Sequence, residues 1–256
     1  MGKIAGIVLS AGKGTRMLKG AKAEGYTAKQ YLPLCGKTVL SYSIEAFLKA
    51  GVNDLVIVCS PDDAELVRGI YDESSSGIND VKMPAGDNRR PEIIITAGGA
   101  YRFNSVANGL TALEGYGADD IVLIHDGARP FVTPEMIKKL IAEAEVYGGA
   151  IASTPMKDTV KIAEDGFIKS TPPRSSLAAV QTPQVFKYDI VKYAYDALIA
   201  SPDISVTDDA EVVEKYGDCR IKLVDTGYEN IKITTPEDMR TAEGFINGRA
   251  GSSSDR

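Results

Sequence analysis

Apolar residues along this chain come as short solid runs, separated by longer stretches with a helical beat. Ile4-Ala5-Gly6-Ile7-Val8-Leu9 has no polar alternation, the pattern of a strand buried on both faces. Over 40–50 the period changes. Leu40, Ile44, Phe47 and Leu48 fall on one helical face, Thr38 is placed to cap it, and Gly51 closes it. Asp54–Cys59 reads as a second strand. Ser60-Pro61-Asp62-Asp63 then opens a helix, with a capping residue, proline at the first position and acids in the first turn. The alternation continues with a strand over 92–96, a helix over 102–113, a strand over 121–124, a helix opened by Thr133-Pro134-Glu135, and a strand over 149–153. This order predicts an α/β fold whose sheet is mainly parallel and covered by helices on both sides. No linker divides the chain, so residues 1–247 are expected to form one domain.

Three segments break the rhythm. Residues 72–91 are polar and rich in Gly, Ser and Asn, and are expected to be a surface excursion. Residues 155–182 lack helical periodicity. They carry Thr159-Val160-Lys161-Ile162, then Asp165-Gly166, then Phe167-Ile168, a hairpin signal. Such a hairpin can fold onto its own domain or reach out as an arm to another subunit. Residues 248–256, with their Gly-Ser-Ser-Ser run, are expected to be a disordered tail.

Composition narrows the field. Charged residues make up 25% and hydrophobic residues 44% of the 256, an ordinary globular balance. A net charge of −6 argues against a nucleic-acid binder, while leaving room for a cationic cleft that takes small anions. No apolar run approaches the roughly 18 residues of a membrane helix. The run at 4–9 is too short for a signal sequence, so no targeting segment is expected. Cys35, Cys59 and Cys219 are odd in number and widely spaced, which suggests neither disulfides nor zinc; a reducing cytoplasm is the expected setting.

The first strand ends in Ser10-Ala11-Gly12-Lys13-Gly14-Thr15-Arg16. A glycine-rich turn at the carboxyl end of a strand lets backbone N–H groups approach phosphate oxygens. It is not a dinucleotide fingerprint, because Met17 stands where the third glycine belongs; nor is it a Walker A loop, because Gly14 follows Lys13. A plain strand-to-helix turn remains the alternative. Lys29, in the returning loop Lys29-Gln30-Tyr31, can converge with Arg16 on one triphosphate. Asp126, at the end of the fourth strand, sits where ligands bind in open α/β sheets; its carboxylate can hold Mg²⁺ together with substrate phosphates, or simply cap the loop as a turn residue. His125 is the sole histidine. It can be structural or a general base; a base is unnecessary if the attacking group is a phosphate dianion, which favours the structural role. Arg174 lies in a polar stretch, where its fork suits a phosphate but a solvated loop charge is the plainer reading, and Lys232 alternates with Ile231 and Ile233, so Lys232 can face either solvent or a cleft.

Further motifs are Gly98-Gly99-x-x-Arg102-x-x-Ser105-Val106, His125-Asp126-Gly127-Ala128-Arg129-Pro130, Gln181-Thr182-Pro183-Gln184, Thr207-Asp208-Asp209-Ala210 and Asn230-Ile231-Lys232-Ile233-Thr234. With the glycine-rich turn and Lys29-Gln30-Tyr31, this ordered series resembles the 2-C-methyl-D-erythritol 4-phosphate cytidylyltransferase family, within the sugar-phosphate nucleotidyltransferases. The resemblance spans residues 3–246. It implies a Rossmann-like three-layer sandwich with an inserted β-hairpin arm, CTP and a polyol phosphate as substrates, Mg²⁺ as cofactor, and a homodimer joined through the arm. It implies that Arg16, Lys29, Arg174 and Lys232 are catalytic. Ala11, Gly12, Gly14, Thr15, Arg16, Lys29, Gly98, Gly99, Ser105, Asp126 and Gly127 would contact CTP, and Asp126, Arg129, Thr159, Arg174, Thr207 and Lys232 the acceptor. Some of these contacts would cross the dimer. Thr207 can also serve as a helix cap. Two departures stand out: Ala100 replaces an aspartate common in the family, and the loop between Arg16 and Lys29 is longer. A ribitol-5-phosphate or other polyol-phosphate cytidylyltransferase, and a non-catalytic nucleotide-binding protein, are the alternatives.

Overall fold

In the computed structural model, which describes residues 2–12, 14, 25–76, 78, 91–201 and 205–252, β1 (Ile4–Leu9) is followed by a 3-10 turn at Lys29–Tyr31. A small hairpin, β2 (Pro33–Leu34) and β3 (Lys37–Thr38), leads into α1 (Val39–Ala50). Next come β4 (Asp54–Cys59), α2 (Ala64–Ser76), β5 (Glu92–Ala97), α3 (Arg102–Thr111), β6 (Ile121–Asp126), α4 (Pro134–Tyr147) and β7 (Gly148–Pro155). A second hairpin, β8 (Ile162–Glu164) and β9 (Phe167–Ser170), precedes β10 (Ala178–Lys187), α5 (Tyr188–Ala200), α6 (Asp209–Tyr216), β11 (Arg220–Asp225) and α7 (Pro236–Ser252).

Seven strands form one sheet in the order β11-β7-β10-β6-β1-β4-β5. Only β10 runs against its neighbours, β6 and β7; the remaining pairings are parallel. β1 sits near the middle, and its side chains alternate between two cores as a strand requires. Ile4 and Val8 join the core under α1, α2 and α4, while Ala5 and Ile7 join the core under α3, α5 and α6. The three layers expected from the sequence are therefore present. A smaller third cluster gathers Leu32, Leu34, Val39, Phe131, Ile233 and Ala242 beneath α7.

Local chemistry explains the elements. Thr38 caps α1 by accepting from the Ser41 N–H at 3.2 Å, and Gly51 ends it with φ 86°, a left-handed conformation that glycine adopts without penalty. Thr133 caps α4 by accepting from the Met136 N–H at 3.2 Å. Chain order sends β4 and β5 to one side of β1 and β6 to the other. The crevice at that reversal, outside the carboxyl ends of the strands, is where open α/β sheets bind ligands.

Some boundaries differ from the sequence reading. α2 continues to Ser76, so 72–76 are helical; 77 and 79–90 lie outside the described residues. α7 continues to Ser252, so a tail starting at 248 is too long; of that segment, 253–256 lie outside the described residues. The hairpin expected in 155–182 is present at 162–170, but its last residues belong to the sheet: Ala178, Ala179 and Val180 pair with Pro155, Thr154 and Ser153 of β7.

Candidate active site

The carboxyl ends of β1, β5 and β6 open onto a cavity of roughly 730 Å³, a volume suited to a nucleotide-sized ligand. Its first wall is the exit of β1. Gln30 donates from Nε2 to the carbonyl of Ser10 and, at 3.4 Å, to that of Gly12. The Tyr31 hydroxyl lies 3.3 Å from Ser10 Oγ. Two residues of the 3-10 turn thus hold the loop, and the third, Lys29, faces the cavity, where its ammonium donates to the Ile233 carbonyl at 2.6 Å. Gly14 has φ 54°, and a Cβ there would stand 2.9 Å from Lys29 Cγ. Glycine at this position lets the lysine stem pass.

The second wall follows β5. A Cβ on Gly98 would come within 2.2 Å of the Ala11 Cβ, and one on Gly99 within 2.2 Å of the Asn104 Cβ. The exits of β1 and β5 can touch only because Gly98 is bare, and the loop can close onto α3 only because Gly99 is. The Gly99 N–H donates to Ser105 Oγ at 3.0 Å, which fixes the loop to α3.

The floor is Asp126, buried at the end of β6. Lys232 Nζ lies 2.7 Å from its Oδ2, and Arg102 Nε lies 3.4 Å from its Oδ1. Burial pushes the carboxyl up, but Arg102 and Lys232 more than reverse this and hold it well below the usual carboxylate range. Asp126 is therefore an anion with cations on both sides. Arg102 in turn grips Asp209 with both terminal nitrogens at 2.8 Å each.

His125 is fully buried and faces away from this chemistry. Its Nε2 is 3.2 Å from the Arg129 carbonyl, which can only accept, so Nε2 carries the proton. Nδ1 then accepts from the Thr182 hydroxyl at 3.1 Å, while the same oxygen accepts from the Asp126 N–H at 3.0 Å. Burial drives the imidazole down to about 4, with Asp126 opposing part of the drop. The ring is a neutral strut under Asp126, as the sequence suggested.

Lys232 does not sit on a strand, contrary to the sequence reading; 226–234 are irregular. A buried asparagine holds this loop instead. Asn230 Nδ2 donates to Gln181 Oε1 at 3.1 Å and to the Thr182 carbonyl at 2.8 Å. Both acceptors lie where β10 shifts register between Val180 and Gln184. Ile233 is buried in the third cluster, so Lys232, between the two anchors, turns toward Asp126.

Residues 4–248 match the family model of 2-C-methyl-D-erythritol 4-phosphate cytidylyltransferase. The chain belongs to the 2-C-methyl-D-erythritol 4-phosphate cytidylyltransferase family. Relatives of that name include one from Lachnoclostridium phytofermentans, 38% identical over 96% of this chain and 97% of its own length. Another, from Geobacter metallireducens, is 40% identical over 94% of this chain and 96% of its own. The crystal structure of 4-diphosphocytidyl-2C-methyl-D-erythritol synthase from Anaerococcus prevotii superposes with a TM-score of 0.79 at 28% identity, covering 96% of both chains.

Of the residues that the family resemblance singled out, Ala11, Gly12, Gly14, Lys29, Gly99, Ser105, Asp126 and Lys232 line the cavity. Gly98 packs behind this lining against Ala11, and Gly127 donates its N–H to the Leu9 carbonyl at 2.9 Å, joining β6 to β1. Thr15 and Arg16 lie outside the described residues. Four residues are elsewhere. Arg129 turns inward and donates from Nη1 to the Asn230 carbonyl at 2.8 Å, so within this chain it braces the Lys232 loop. Thr159 is exposed on the hairpin segment. Arg174 is exposed too and donates to the Lys157 carbonyl at 2.9 Å. Thr207 lines a smaller pocket with Tyr101 and Tyr195, and is not a cap: Asp208 caps α6, and Thr207 donates from its hydroxyl to Glu211 Oε2 at 2.8 Å. Sequence reasoning gave no role to Gln30 or Arg102, although both stand inside the quoted motifs.

Proposed function

We infer that this chain transfers CMP from CTP to 2-C-methyl-D-erythritol 4-phosphate, forming 4-diphosphocytidyl-2-C-methyl-D-erythritol and pyrophosphate in isoprenoid biosynthesis by the non-mevalonate route. The observation that carries the reading is the meeting of Lys29 and Lys232, from opposite ends of the sequence, at one cavity rim above Asp126. An oxygen of the acceptor phosphate attacks the α-phosphorus of CTP. The new P–O bond forms as the bond to the β-phosphate oxygen breaks, and pyrophosphate leaves with that electron pair. Both reactants are anions, so the work left to the protein is positioning and charge neutralisation.

In this reading Lys29, beside the bare backbone of Gly12 and Gly14, steadies the triphosphate, and Arg16 supports it. Lys232 orients the acceptor phosphate, and Gly98, Gly99 and Ser105 bound the cytosine side. No base is needed, which suits a neutral His125 turned away from the cavity. Arg174 and Thr159 would serve the acceptor of a second copy, reached through the arm of a homodimer. Arg129 would act on the acceptor indirectly, through the Asn230 loop.

A Mg²⁺ requirement belongs to the same proposal. Among the described residues no three His, Cys, Asp or Glu side chains form a metal cage. Asp126 is the one acid lining the cavity among them. A single ionised carboxylate fits Mg²⁺, which takes its other ligands from phosphates and water. When bound, the ion would neutralise charge between the phosphates. No helix among the described residues is long and apolar enough to cross a membrane. Cys35, Cys59 and Cys219 are free, which suits the reducing cytoplasm we propose as its setting.

The test is turnover with CTP, Mg²⁺ and each polyol phosphate, following pyrophosphate. Release with 2-C-methyl-D-erythritol 4-phosphate is expected. Release only with ribitol 5-phosphate would change the acceptor, and no release with either would leave a nucleotide-binding protein.

A further inference from the structure

Arg102 forms part of the cavity wall, and its ion pairs are to two acids on different elements. It is the first residue of α3. Its terminal nitrogens donate in parallel to the two oxygens of Asp209 at 2.8 Å each, the fork-to-fork geometry that fixes a guanidinium in plane and direction. Asp209 is itself immobilised. It is fully buried at the start of α6, and the Tyr195 hydroxyl donates to its Oδ1 at 2.6 Å. The start of α6 is bolted to the sheet by Gln184, which donates to Asp208 Oδ2 at 2.9 Å and accepts from the Ala210 N–H at 2.8 Å. With both terminal nitrogens committed to Asp209, the Nε edge of Arg102 is what meets Asp126 Oδ1, at 3.4 Å.

We propose that Arg102, held by Asp209 and Tyr195, is a positioning residue that sets the orientation of the Asp126 carboxylate. Arg102 therefore gives Asp126 both a charge and a fixed direction: Oδ1 is turned to α3, and Oδ2 is left for Lys232 or for a divalent ion carried by the nucleotide. A lysine at this position would keep a charge but lose the fork, and with it the fixed edge. The proposal rests on the reading of Asp126 as a reactive-site carboxylate.

The test is a double-mutant cycle on the full chain, with circular dichroism to confirm folding. Arg102→Gln, Asp126→Asn and the pair are compared by kcat, by KM for each substrate, and by Mn²⁺ affinity in the presence of CTP, read from the electron paramagnetic resonance signal of free Mn²⁺. Outer partners of metal-binding groups typically matter by about 10- to 100-fold, and Arg102→Gln should weaken Mn²⁺ affinity and kcat within that range. In the Asp126→Asn background the same change should add little, since its route is gone. Arg102→Lys should lose about as much as Arg102→Gln, and Tyr195→Phe a smaller part, so the proposal stays testable if Asp209→Asn fails to fold. Additive losses would mean that Arg102 touches substrate itself, and unchanged Mn²⁺ affinity in Arg102→Gln would leave it a structural residue; either result overturns the proposal. Full turnover by Asp126→Asn would instead bring down the reading of the site, and this proposal with it.

Discussion

The cavity and the hairpin are opposite kinds of construction. Around the cavity several polar side chains are gripped from within the chain: Gln30 by two carbonyls, Arg102 by Asp209, Asp126 by Lys232 and Thr182, Asn230 by the shifted register of β10. Along β8 and β9 every residue is exposed, and Phe167 and Ile168 are 78% and 67% open to solvent. A lone chain gains little from holding such side chains in water. One region is held by hydrogen bonds within the chain; the other presents apolar surface and two candidate acceptor contacts, Thr159 and Arg174, that do not line the cavity of their own chain.

The contrast can be broken most strongly at the cations. Lys29→Ala and Lys232→Ala should each lower kcat on the order of 100- to 1,000-fold while leaving the melting temperature nearly unchanged. Arg174→Ala should match them only if it works across subunits. Mixing inactive Lys29→Ala and Arg174→Ala proteins under exchanging conditions would then restore part of the activity, and no restoration would return Arg174 to solvent. Next in size comes acid stability. The unfolded chain protonates His125 near 6.5, whereas the folded ring resists until about 4. Its contribution is complete above 6.5 and falls as pH drops toward about 4. Chemical denaturation should show wild type losing roughly 3 kcal/mol over that interval that His125→Gln does not lose. The variant should keep most of its kcat; a collapse of turnover would revive His125 as a base. Gly99→Ala forces a Cβ toward Asn104 and should cost about 1–3 kcal/mol, with a raised KM for CTP. Smallest is Phe167→Ser with Ile168→Ser. It should shift sedimentation toward monomer while changing the stability of the single chain by less than about 0.5 kcal/mol.

Much of this was legible in the residues. Ile4–Leu9 and Asp54–Cys59 have the ends that their apolar runs imply, and Asp126 lies at the sheet edge where a strand-end acid belongs. What escaped has physical causes. β10 was hidden because Pro183 interrupts a polar stretch, and proline in a central strand argues against a strand unless the ladder breaks there, as it does between Val180 and Gln184. Arg102 gave no local sign, since its partner Asp209 is remote in sequence. Arg129 turned inward because the carbonyl of Asn230, another distant residue, waits beneath it. Lys232 mimicked strand alternation because Ile233 was needed in a core of its own.

That third core gives the C-terminal segment an influence out of proportion to its size. Leu32, beside Lys29, and Ile233, beside Lys232, share it with Ala242 of α7. A nascent chain could therefore assemble much of its central sheet while still tethered to the ribosome and yet have no working pocket. Catalytic competence would arrive late and abruptly, when α7 emerges and clamps two distant lysines into register.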